Sequence, residues 1–88
     1  MLKYWHLIYL SPKFLDSHKM GQVSEDLLKQ AQNQPKDEFG IVHENILYNK
    51  EEDKLFCLLD APDKESVRKH HEKLGITCDW ITQVKTTS

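Results

Sequence analysis

Cysteine, carboxylate and imidazole meet in one short stretch of this chain, the run Lys54-Leu-Phe-Cys-Leu-Leu-Asp-Ala-Pro-Asp-Lys-Glu-Ser-Val-Arg-Lys-His-His-Glu-Lys-Leu-Gly75. It reads as a buried strand that stops at Asp60-Ala61-Pro62 and passes almost directly into a capped helix, which turns His71 back towards the strand. With His6 near the N-terminus, Cys57, Asp60 and His71 are the candidate metal ligands. Neutral imidazole, thiolate and carboxylate together suit a borderline divalent ion such as nickel, zinc or copper. Their spacing matches no established metal motif, and Lys69-His70-His71-Glu72-Lys73 is not the HExxH of a zincin. Each residue also has a plainer role. His71 is a lone helical histidine on an apolar stripe, a common place for a core residue with one hydrogen bond. Asp60 can cap local backbone, and Cys57 can be a small buried hydrophobe. His6, between Trp5 and Leu7, needs a partner for its ring nitrogens. Strand parity allows Cys57 to point away from a face the others share, and it sends His43 and Glu44 to opposite faces. His70, about 100° round the helix from His71, reads as solvent-facing.

The elements that must position these groups follow from pattern. Residues 3–10, rich in aromatic and branched side chains, read as the first strand, ended by Ser11-Pro12. Residues 11–22 then form a long connection with Phe14, Leu15, His18 and Met20, either a lid or partner contact or packing over an edge. Ser24 caps a first helix whose stripe is Val23, Leu27, Leu28 and Ala31. Pro35 breaks it, a second short helix runs to Phe39, and Gly40 stops that. Strands over 41–48 and 54–59 form a hairpin round Asn49-Lys50-Glu51-Glu52-Asp53. Asp63 caps the second helix, which presents Val67, His71 and Leu74 on one face and ends at Gly75. Residues 78–84 are the last strand, and 85–88 a polar tail. The order is β-α-β-β-α-β: one α+β, ferredoxin-like domain over residues 1–88, a four-stranded antiparallel sheet with two helices on one face. The strands look apolar on both faces, whereas a sheet with one wet face alternates with polar residues. A second copy is therefore expected to cover the bare face, giving a homodimer and a dimeric α+β barrel.

Composition narrows the functional classes. The 88 residues are 39% hydrophobic and 30% charged, with a net charge of −2, which offers nothing to nucleic acid or an anionic membrane. A chain of this size buries only about 60–65% of its unfolded surface and is marginal alone. Two cysteines twenty positions apart, Cys57 and Cys78, make no disulfide framework and suit a reducing compartment. The N-terminus does not read as a signal peptide, and no apolar run approaches the ~20 residues of a membrane span. A soluble, cytoplasmic protein is expected.

From Phe39-Gly40 through the hairpin, Phe56-Cys57-Leu58, Asp60-Ala61-Pro62, the helix to His71 and the strand ending at Val84, the chain resembles a family of small prokaryotic nickel-binding proteins. The resemblance implies a dimeric α+β barrel and a bound divalent transition metal, nickel foremost. The family's run has Glu where this chain has Asp60. Its strand-one pattern, an aspartate followed two residues on by a histidine, falls at His6 and Ile8. Its helix-one histidine has no counterpart around Lys29 and Gln30, and its second-strand tryptophan corresponds to Leu47.

The function expected is a small homodimeric metal-binding protein for sequestration or sensing. The alternative is a dimeric α+β-barrel enzyme, similar to cofactor-free monooxygenases and isomerases. In it His6 or His71 would act as general base, and Tyr4 or Trp5 would line a pocket for a small molecule between sheet and helices. The RNA-recognition motif shares the element order, but Lys54–Leu59 lacks its aromatic-glycine signature.

Overall fold

Lys13–His18 enters the sheet as β1, and its two neighbours show why the chain closes as it does. β1 lies between β3 (Lys54–Asp60) and β4 (Trp80–Val84), with β2 (Val42–Asn49) outside β3, giving the antiparallel order β2-β3-β1-β4. Two helices complete the set, α1 (Glu25–Gln32) and α2 (Lys64–Lys73), so the order is βαββαβ and the fold is ferredoxin-like. This computed structural model describes residues 12–88.

The first strand differs from the sequence expectation. The strand that pairs with β3 and β4 lies inside the stretch read as a connection, while the strand expected over 3–10 lies outside the described residues. Pro12 was read as a terminator, yet proline is well placed just before a strand, where no ladder hydrogen bond needs its missing N–H. Its carbonyl accepts from the Ala61 N–H at 3.1 Å, locking the start of β1 to the end of β3. A buried polar run, Asp16-Ser17-His18, also hid the strand from a reading based on apolar content.

Both helices are capped as their sequences dictate. Ser24 accepts from the Leu27 N–H at 3.2 Å and Asp63 from the Ser66 N–H at 2.7 Å. The stretch after Pro35 forms no helix. Its turn is held by Asp37, whose carboxylate accepts from the Phe39 and Ile41 N–H groups at 2.9 and 3.0 Å. Gly40 follows at φ +80°, where an added Cβ would meet Pro62 Cγ at 2.9 Å. One β-bulge interrupts the β2–β3 ladder between His43 and Asn45.

Alternation sorts the sheet into two faces. Phe14, Leu55, Cys57 and Leu59 point inward and pack with Met20, Leu28, Ile41, Ala61 and Val67 as the core. Leu74, expected on the buried stripe of α2, is instead its exposed C-cap, where the helix ends. On the outer face Leu15, Phe56 and Leu58 are half-buried, while Leu47 and Trp80 are 49% and 44% exposed. Among the described residues no helix is long and apolar enough to cross a membrane.

Candidate metal centre

Asp16 stands in register with Cys57 across the β1–β3 ladder, so the two side chains emerge side by side on the inner face. His18, two residues on, shares that face by parity. His71 comes down from α2, one turn after Val67, whose side chain is fully buried and fixes the helix against the sheet. One donor atom from each of the four residues lies within 4.8 Å of the others, and all four residues are buried.

The spacing is that of ligands round a small ion. His71 Nε2 is 3.4 Å from Asp16 Oδ2, His18 Nε2 is 3.7 Å from Asp16 Oδ1, and Cys57 Sγ is 3.9 Å from His18 Nε2. Ligands held at about 2.0–2.3 Å from a tetrahedral ion sit roughly 3.3–3.8 Å apart. The hydrogen bonds of the two rings settle which nitrogen faces the centre. His18 Nδ1 lies 2.9 Å from the Lys19 carbonyl and His71 Nδ1 lies 2.9 Å from the Val67 carbonyl. A carbonyl only accepts, so each Nδ1 carries the hydrogen and each Nε2 turns a lone pair inward. Backbone carbonyls in this position are the usual outer partners of metal-bound imidazoles.

The carboxylate completes the case. Asp16 is fully buried and neither of its oxygens has a hydrogen-bond partner among the described residues. An orphaned buried carboxylate costs several kcal/mol unless something positive stands beside it. Burial pushes Asp16 up to about 7, with a smaller opposing pull from the adjacent Cys57 thiol. Burial drives the Cys57 thiol far above its usual range, with the Asp16 charge adding to it. It also pulls His71 down to about 4, against the Val67 hydrogen bond. A dication reverses all these penalties at once, since it favours carboxylate, thiolate and neutral imidazole together. The four residues therefore fit a late first-row divalent ion.

Of the residues singled out from sequence, the structure brings Cys57 and His71 together. Asp60 lies three residues beyond Cys57 and so on the opposite face of β3, where its carboxylate accepts from Lys13 Nζ at 2.8 Å. His6 lies outside the described residues. Asp16 and His18 stand outside the sequence-derived set because the apolar pattern places strand one upstream, over residues 3–10. The signal was present: an acid and a histidine at i and i+2 share one strand face. They also supply the aspartate-then-histidine pattern that the resemblance implies for strand one.

A cavity of about 720 Å³ opens beside the centre, reached by His18, Cys57 and His71 and also lined by Met20, His43 and His70. Burial lowers His43, with the His70 charge contributing. Asp37 Oδ2 lies 2.5 Å from His70 Nδ1. Burial raises the Asp37 carboxyl, but the Ile41, His70 and Phe39 hydrogen bonds outweigh it and hold the group below its ordinary value.

No curated protein matches the chain. A crystal structure of SCO4226 from Streptomyces coelicolor A3(2) superposes with a TM-score of 0.69 at 25% identity, covering 86% of this chain and 99% of that one. Residues 14–84 match the family model described as nickel responsive protein SCO4226-like, a span that begins inside β1 and takes in all four buried candidate ligands. With most of its length under that one model, the chain belongs to the SCO4226-like family.

Proposed function

We propose that this protein binds a nickel-type divalent ion at Asp16, His18, Cys57 and His71 and serves to sequester or sense it as a homodimer. The observation that carries the reading is the unpartnered Asp16 carboxylate, facing two imidazole lone pairs and a thiol in a buried hole. The family description, nickel responsive, supports the choice of ion. Ligand chemistry supports it too, because nitrogen and sulfur donors favour nickel, copper or zinc over magnesium or manganese. The centre is buried among side chains of one protomer, and a backbone carbonyl fixes the orientation of each of the two histidines. That suits tight, stoichiometric retention. Both cysteines are free, which suits a reducing compartment, and we place the protein in the cytoplasm.

When bound, the ion supplies concentrated positive charge to the hole, and the chain's own groups do the rest. Asp16 gives up its proton and accepts the charge. Cys57 releases its thiol proton, and the two Nε2 atoms supply lone pairs while their Nδ1 hydrogens stay on the Lys19 and Val67 carbonyls. Proton release makes affinity fall with acidity: Cys57 gives up its proton across the neutral and acid range, and below about pH 7 Asp16 gives up a second, so the fall steepens there. The test is calorimetric titration of tag-free, metal-free protein with nickel, zinc and copper, repeated with His71→Ala and Asp16→Asn. Tight binding by wild-type protein and its loss in both variants is expected. Absence of heat for every ion, or unchanged affinity in the variants, removes the reading and favours a small-molecule pocket.

A further inference from the structure

Four histidines form a continuous series along the cavity, and only two of them belong to the buried centre. Ring centroids are 5.2 Å apart for His18 and His71, 5.1 Å for His71 and His70, and 5.6 Å for His70 and His43, each pair edge to face. The outer pair comes from different elements, His43 from β2 and His70 from α2. A partner fixes the orientation of His70. Its Nδ1 donates to Asp37 Oδ2, so its Nε2 keeps the lone pair, the arrangement in which a carboxylate orients a metal-bound imidazole. Asp37 is itself held by the Phe39 and Ile41 N–H groups, so the arrangement is built into the turn. A structural salt bridge would account for His70 and Asp37 alone. It gives no reason for a second imidazole, His43, to face them across the cavity.

We propose that His43 and His70 form a second, outer cation station in this cavity, taking a borderline divalent ion through imidazole nitrogens and water. It has no thiol and no ligating carboxylate, so it should bind more weakly than the buried centre. This inference rests on the metal-binding reading, and the two are separable by signal. Only the buried centre contains a thiolate, so only its ion gives thiolate-to-nickel charge-transfer absorption in the near ultraviolet.

The experiment titrates tag-free homodimeric protein with nickel chloride, following heat and absorption together, for wild-type, His43→Gln and His70→Gln. Metal-free melting curves check that each variant is folded, and either single variant suffices. Wild-type protein should take two ions per protomer, a tight one with the charge-transfer band and a weaker one without it. Each variant should lose the weaker equivalent and keep the band. One ion per protomer in wild-type protein, or a second equivalent retained in the folded single variants, overturns the outer station. Loss of the band with the second equivalent kept would instead overturn the buried centre.

Discussion

At the scale of the residue, Asp16 decides what the folded protein wants. Its carboxyl rises from 3.8 to about 7 on folding. The stability this contributes is complete below about pH 4 and lost as the pH rises through about 7. His71 runs the other way: lowered from 6.5 to about 4, it contributes fully above 6.5 and progressively less as the pH falls towards 4. The two slopes oppose each other between pH 4 and 6.5, and above pH 7 the ionised Asp16 remains as a cost. Asp16→Asn should therefore raise the melting temperature of metal-free protein at pH 8 by roughly 5–10 °C, as 1 kcal/mol moves a domain of this size about 4–8 °C. The same variant should lose all stabilisation by nickel. Scanning calorimetry at pH 8, with and without nickel, checks both, and a lower metal-free melting temperature in the variant would contradict the account of Asp16.

At the scale of the element, legibility tracked local chemistry. Asp63 as a cap, Gly75 as a stop and the β2–β3 hairpin could be read directly, because each depends on neighbours in sequence. Cys57 and His71 are legible because a strand, a three-residue break and a helix fix their relation within one unit. β1 is not, because what makes Lys13–His18 a central strand is pairing with partners 37 to 71 residues away in sequence. Asp60 was misleading for a local reason, since three residues along a strand reverse the face. Gly40 shows the same dependence on distant contacts. Its φ of +80° and the approach of Pro62 are both tertiary facts. Gly40→Ala places a methyl in a strained conformation against that ring and should cost about 2–3 kcal/mol. Urea denaturation measures it, and a loss below about 0.5 kcal/mol would mean that the turn relaxes freely.

At the scale of the molecule, the outer sheet face is what remains uncovered among the described residues. Leu15, Leu47, Phe56, Leu58 and Trp80 lie on it, and the Phe56 and Trp80 rings stand 6.4 Å apart. A face of that kind on so small a domain is what a stable homodimer covers. Light scattering should give the mass of a dimer at micromolar concentration for wild-type protein. Phe56→Glu, which sets a charge in the middle of the face and away from the metal ligands, should give a monomer. A monomeric wild-type protein would leave the face to some other partner.

The four buried candidate ligands come from β1, β3 and α2, spanning residues 16 to 71, and both cysteines are free of any disulfide. An ion in that hole would act as a removable staple, tying β1 to α2 only while the chain is folded. The protein's lifetime would then become a record of metal supply, with molecules formed in scarcity opening and being cleaved and loaded molecules persisting. Limited proteolysis should show this as a half-life that lengthens with nickel in wild-type protein and stays constant in Cys57→Ser.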